Sequence, residues 1–185
     1  ALGFNKTADD FGIEIIGGDT ISNTKLDITI TIISKVKKPL LRSSTRIGEV
    51  IAYTGELGRS SKDLKTLLRG GKLNRNSKFV NIKLRDNFVK NTQRFVTSGM
   101  DISDGLFSDL RKLSEASKIG YEFTSSISKQ VGCSGEEYEM LISFSPRDIK
   151  TLKRRAAQSR TPLHIFARAT RKGYTNRCKS HHFKR

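Results

Sequence analysis

Apolar positions recur along this chain with two different periods, and the switches between them delimit the elements. Leu2, Phe4, Ala8 and Phe11 fall at helical spacing and stop at Gly12, so residues 2–11 are expected to form a helix. The run 13–16 reads as a short buried strand, and Gly17-Gly18-Asp19-Thr20 then turns the chain. In residues 26–33 (LDITITII) Thr alternates with Ile, the two-residue period of a strand with unlike faces. Residues 36–48 carry Pro39 and four basic residues and read as a linker into a second domain.

Beyond the linker, residues 49–54 (EVIAYT) form a second clear strand pattern. Residues 60–68 look helical and end at Gly70-Gly71, and Leu84, Phe88 and Phe95 give 82–96 a helical spacing. A short strand is expected at 98–102. Leu106, Leu110 and Leu113 then mark one stripe of a helix reaching about Ser117. Residues 120–123 and 138–144 are strand candidates. Ser145-Pro146-Arg147-Asp148 combines a cap, a first-turn proline and an acid, and starts a helix with Ile149, Leu152 and Ala156 on its apolar side. A last strand is expected at 163–167. Strands and helices mix without strict alternation, which places the chain in the α+β class.

Composition changes this picture in one respect, charge. The formal net charge is +17, and no acidic residue follows Asp148, whereas twelve Lys or Arg lie in residues 150–185. Such a field attracts polyanions, so a nucleic-acid-binding domain and a binder of nucleotide phosphates both come into view. No aromatic RNA-binding motif, zinc-finger spacing or basic heptad accompanies the charge. The basic tail is therefore expected to be mainly solvated surface. Two cysteines, Cys133 and Cys178, are too few for a disulfide framework and suggest a reduced, cytoplasmic protein. Cys178 with His181 and His182 forms only one loose ligand group, short of structural zinc spacing.

In so basic a chain the placement of the acids is informative. Asp101, Asp104 and Asp109 fall in SGMDISDGLFSDL, where a strand meets a helix. Asp101 and Asp104 flank that turn and repel each other unless a cation joins them. Magnesium takes such carboxylates together with water and phosphate oxygens. Ser103 sits where a helix N-terminus receives phosphate. Equally, Ser103 or Asp104 could simply cap the helix, with Asp101 a loop acid. Asp109, one turn further on, is expected to behave as a surface residue. Gly17-Gly18-Asp19-Thr20 could wrap a phosphate and offer a metal ligand, or be an ordinary turn. Glu136, Glu137 and Glu139 are either solvent-facing or a grip for a cationic or hydroxyl-bearing substrate. The chain has no Walker loop, dinucleotide fingerprint or protein-kinase catalytic loop. Phosphoryl transfer by this chain would rest on carboxylates, metal and positioning.

Taken in order, five segments resemble the thiamine-monophosphate kinases of the aminoimidazole-ribonucleotide-synthetase superfamily. GGDT at 17–20 is similar to that family's turn, and LLRSSTRIGEVIAYTGELG at 40–58 to its approach to the second domain. MDISDGLFSDL at 100–110, SGEEYEML at 134–141 and HHF at 181–183 complete the set. The resemblance spans nearly the whole chain. It implies ATP-dependent phosphorylation of thiamine monophosphate to thiamine diphosphate in a cytoplasmic homodimer, with no membrane or nucleic-acid partner. It implies that residues 1–37 end an N-terminal ATP- and metal-binding α/β domain and that 38–185 form the C-terminal α+β domain. By the same resemblance Asp19, Asp101 and Asp104 hold magnesium, Gly18, Arg42 and Ser103 contact ATP, and Glu136 contacts the thiamine substrate.

The chain departs from the family pattern in three places. The family's N-terminal aspartate-rich motifs have no counterpart before Ala1, so the chain alone is expected to be an incomplete catalyst. A glycine of the SGGEDYEL pattern is missing between Gly135 and Glu136. Finally, the substrate-stacking aromatic that precedes the terminal HF is replaced around Lys179-Ser180. Another ATP-dependent synthetase of the superfamily stands as the alternative activity, beside the nucleic-acid-binding domain.

Overall fold

The computed structural model describes residues 2–179, and the chain divides into two compact units between Lys37 and Lys38. In the first unit, α1 (Leu2–Phe11) buries Ala8. It ends where Gly12 turns left-handed (φ 61°) and the Ile13 N–H donates to the Ala8 carbonyl at 2.8 Å. The strands expected at 13–16 and 26–33 are not formed, and the chain runs there without regular structure. Ile28, Ile30 and Ile32 are all exposed. Alternation specifies two faces of a strand but not its neighbour. Among the described residues of this unit no strand lies alongside to take up the backbone N–H and C=O groups.

The second unit is built on a five-stranded antiparallel sheet in the order β2-β4-β1-β5-β3. Its strands are β1 (Val50–Thr54), β2 (Val96–Asp101), β3 (Gly120–Phe123), β4 (Met140–Phe144) and β5 (Leu163–Thr170). The central strand β1 pairs Val50 with Phe144 of β4 on one side and with Arg168 of β5 on the other. Helices α2 (Arg59–Leu68) and α3 (Asp86–Thr92) follow β1, and α4 (Leu106–Ser117) follows β2. The one-turn helix α5 (Lys129–Gly132) precedes β4. A short 3-10 turn (Pro146–Asp148) leads into α6 (Ile149–Gln158).

Because strand side chains alternate, the sheet buries both faces. Ile51, Leu141 and Phe166 pack with Leu106, Leu110 and Leu113 of α4. On the opposite face Val50, Ala52, Ile142 and Phe144 pack with Phe88 of α3 and with Leu152 and Ala156 of α6. The helix start read at Ser145 forms as expected, its hydroxyl accepting from the Arg147 N–H. The helical stretch read at 82–96 contracts to α3, because Val96 already belongs to β2.

The basic side chains of the tail are exposed as expected, Arg155 alone among those described being half-buried, but residues between them are tied to the body of the unit. The Tyr174 hydroxyl donates to the Phe107 carbonyl at 3.1 Å, and the Asn176 side-chain amide donates to Ser108 Oγ at 3.3 Å. Cys178 is joined to Cys133 as a disulfide, with Cα atoms 5.5 Å apart. The two cysteines are 45 residues apart in sequence, and folding the tail back over α4 brings them together. That pairing replaces the reduced state expected from their number. His181, His182 and Phe183 lie outside the described residues. Among the described residues no helix is long and apolar enough to cross a membrane.

Leu110 is fully buried on the α4 face of the sheet. Leu110→Ala is expected to lower the stability by about 2–5 kcal/mol in denaturant melts, through lost burial and an unfilled cavity. A loss below ~0.5 kcal/mol, the range of ordinary surface changes, would contradict this placement.

Candidate functional site

Residues 102–103 and 136–139, more than thirty residues apart in sequence, are stitched together through the backbone. Past the end of β2, the Ile102 N–H donates to the Glu139 carbonyl at 2.7 Å and the Tyr138 N–H to the Ile102 carbonyl at 2.9 Å. The Glu136 N–H donates to the Ser103 carbonyl at 2.7 Å. Two glycines permit this approach. A Cβ on Gly135 would stand 2.9 Å from the Ser103 carbonyl oxygen. One on Gly105 would meet the Cys133 backbone at 3.1 Å, and Gly105 also needs its φ of 95°.

The residues on this double segment point two ways. Glu137 and Glu139 are buried, whereas Glu136 and Asp101 are exposed. Glu136 and Tyr138 both adopt left-handed backbone (φ 55° and 53°), a conformation costing non-glycine residues roughly 1–2 kcal/mol each. The Tyr138 hydroxyl donates to the Glu136 carboxylate. That hydrogen bond, partial burial and the negative charges of Glu136 and Asp101 push the Tyr138 phenol up to about 12. Asp101, Glu136 and Tyr138 thus form one acidic, solvent-facing locus.

Asp104 and Asp109 behave differently. Asp109, expected at the surface, is fully buried. Its Oδ2 accepts the backbone N–H groups of Ser103 (2.9 Å) and Asp104 (3.0 Å), so these donors are turned inward to a side chain. Lys112 Nζ lies 2.7 Å from Asp109 Oδ1 and 2.5 Å from Asp104 Oδ2. Burial raises the Asp109 carboxyl above the usual carboxylate range, against the lowering influence of Lys112. For Lys112 burial acts to lower the ammonium, but its hydrogen bonds to Asp104 and Asp109 outweigh that and raise it. The directions are compatible because Asp109 is wholly enclosed while Lys112 keeps a face to water. Asp109 lies three residues after Leu106 and four before Leu113, on the apolar stripe, and that spacing was the available signal.

The remaining sequence candidates sit elsewhere. Arg42 is exposed, and its carbonyl accepts from the Ser98 and Ser117 hydroxyls at 3.1 and 2.8 Å, tying the linker to the sheet and α4. Gly18 and Asp19 belong to the first unit, where both are exposed. The Asp19 carboxylate accepts from the Thr20 N–H at 2.7 Å, and both Gly17 and Gly18 leave open space around the backbone. Among the described residues no group of three His, Cys, Asp or Glu converges to hold a metal. Of the two aspartates of this turn expected to hold magnesium, Asp101 is exposed and Asp104 places Oδ2 against Lys112.

Comparison with known proteins bears on what this arrangement serves. The chain is 30% identical over 182 residues to a thiamine-monophosphate kinase of Nitrosopumilus maritimus, a match covering 88% of this chain and 59% of that protein. It is 27% identical over 189 residues to that of Bacillus subtilis, covering 87% of this chain and 58% of the other. The chain is a relative of the thiamine-monophosphate kinases. It spans a little under three-fifths of the length of these two relatives. No family model matches it. In fold it is similar to the thiamine-monophosphate kinase of Stenotrophomonas maltophilia (TM-score 0.63, 18% identity, 73% of this chain and 51% of that one). It is also similar to AaThiL complexed with AMPPCP and TMP (TM-score 0.59, 21% identity, 73% and 49%). A likeness to Escherichia coli HypE (TM-score 0.59, 10% identity, 72% and 47%) extends the shared α+β fold beyond these kinases. This is the aminoimidazole-ribonucleotide-synthetase-like fold.

In the tail, Tyr174 is half-buried. Its ring packs edge-on to Tyr121, and its hydroxyl is spent on Phe107. Sequence reasoning also missed Lys78 and Arg85, which contact the two buried glutamates of the family-like SGEEYEML segment.

Removing the Asp109 side chain leaves two backbone donors without their acceptor and Lys112 with Asp104 alone. Asp109→Ala is expected to lower stability by about 1–3 kcal/mol, the penalty for stranded buried donors. Because burial makes the ionised carboxylate unfavourable, Asp109→Asn, which keeps an acceptor and loses the charge, should melt closer to the wild-type temperature than Asp109→Ala at neutral pH. Equal melting temperatures for wild type and Asp109→Ala would contradict this role.

Proposed function

We propose that the protein carrying this chain transfers the γ-phosphoryl group of ATP directly to thiamine monophosphate, forming thiamine diphosphate. The observation that carries this reading is the backbone pairing of 102–103 with 136–139, which sets the DISDG turn against the SGEEYEML segment. Relatives named for this activity support it, as does a similar fold solved with AMPPCP and TMP.

In this reading Asp101 and Asp104 of the second unit hold magnesium, and Asp19 is read separately as a metal ligand of the first unit. The ion neutralises negative charge on the phosphates that must approach each other. Arg42 and Ser103 of the second unit bind the nucleotide, and Gly18 is read separately as a nucleotide contact of the first unit. Ser103 does so through its hydroxyl, since its N–H is held by Asp109. Arg42 is exposed beside the sheet and available to a phosphate. Glu136 meets the cationic thiamine ring system, and Tyr138 fixes the orientation of its carboxylate. The contribution of this chain is positioning and charge, with no side chain required as a covalent intermediate. Cytoplasmic location and a homodimeric assembly complete the reading.

Asp101→Asn keeps the size of the side chain and removes its charge. It is expected to lower magnesium-dependent formation of thiamine diphosphate by about a hundredfold, with little change in melting temperature. Near-normal turnover in both Asp101→Asn and Asp104→Asn would overturn the metal assignment.

A further inference from the structure

Two carboxylates of the SGEEYEML segment are buried and saturated with partners, among them Lys78 and Arg85, which no sequence motif marks. Glu137 Oε1 accepts from the Gly58 N–H (2.8 Å), the Ser60 N–H (3.2 Å) and the Ser134 hydroxyl (2.6 Å), and Oε2 faces Lys78 Nζ at 2.8 Å. Glu139 receives Arg85 in a fork, Nε to Oε2 at 2.6 Å and Nη2 to Oε1 at 2.7 Å. It also accepts from the Thr54 hydroxyl at 2.8 Å and lies 3.3 Å from Lys78 Nζ. Lys78 further donates to the carbonyls of Glu56 (2.6 Å) and Glu137 (3.2 Å). The carboxylate of Glu139 lies against Gly55, where a Cβ would come within 2.0 Å of it. The glutamate side chains are 0% and 2% exposed, and those of Lys78 and Arg85 17% and 12%.

These anchors alternate with the two left-handed residues. Glu136 and Tyr138 face outward in a backbone conformation that side chains disfavour, and Glu137 and Glu139 beside them are clamped inward. Strain of this kind persists only where the surroundings over-determine it. We infer that Lys78 and Arg85 are positioning residues for the organic substrate: by gripping Glu137 and Glu139 they hold Glu136 and Tyr138 in the geometry that receives thiamine monophosphate. The inference rests on the function proposed above for Glu136. A purely structural ion pair would stabilise the fold without discriminating between the two substrates. A positioning role acts on one substrate and leaves the nucleotide alone.

Two variants test it. Arg85→Lys keeps the charge and loses the fork. The double variant Arg85→Met/Glu139→Gln removes both charges together, so that no buried ion is left alone. Two readouts are taken on each folded variant: the KM for thiamine monophosphate against the KM for ATP, and the amide hydrogen exchange of Glu136 and Tyr138. The expected result is a rise of about tenfold or more in the KM for thiamine monophosphate, about 1.4 kcal/mol, with the KM for ATP within about twofold of wild type. Exchange at Glu136 and Tyr138 should quicken by a similar factor while amides of α4 stay protected. An unchanged KM for thiamine monophosphate in a folded variant would overturn the inference, as would unchanged exchange. If the wild-type protein neither binds nor phosphorylates thiamine monophosphate, the substrate reading fails by itself. The exchange measurement then still decides whether Arg85 holds the segment.

Discussion

Three backbone hydrogen bonds, from Ile102, Tyr138 and Glu136 to carbonyls across the gap, hold the candidate site together, and the other features of the site serve to permit or support them. Beside these bonds the backbones come close enough that a Cβ on one side would crowd the facing chain. Gly105 and Gly135 avoid that crowding from opposite sides. Once the segments are paired, the outward acids gather in one place without any helix or strand having to present them all. The sheet below, packed on both faces, gives this pairing a rigid base because β2 and β4 are themselves neighbours.

Charge is handled differently on the two sides of the pairing. Around the turn after β2, one lysine serves two aspartates, and the more buried of them also gathers the turn's own N–H groups. Around the SGEEYEML segment, two cations serve two glutamates in a nearly dry setting. In both cases anionic residues inside are neutralised locally, while Asp101 and Glu136 face solvent. A strongly basic chain thereby presents an acidic, solvent-facing locus.

The periodic elements were readable because burial on a sheet face leaves a regular trace. The Leu106, Leu110 and Leu113 stripe and the Ser145-Pro146 helix start are both found as read. The LDITITII segment shows where that logic stops, since alternation describes faces and not neighbours. The DISDG turn and Glu136 were legible as chemistry because acids are scarce in this chain. Lys78 and Arg85 were not, because two more basic residues among thirty-five carry no signal. Only the long-range pairing of β1, β2 and β4 determines which of them meets a buried carboxylate. Asp109 was misread for a different reason: its charge suggested solvent, although its place on the helix stripe pointed inward.

The Cys133–Cys178 bond has a mechanical consequence. It joins a point just before β4 to a point beyond β5. Tension applied at the carboxyl end therefore reaches Cys133 directly and bypasses everything between. Strands β4 and β5 and helix α6 lie inside this covalent ring and carry none of the load. A motor that threads the chain from its tail would meet α5 first, and could pass the ring only as a doubled strand. Reduced, the same pull would peel β5 away from β1 and β3, opening the sheet from within.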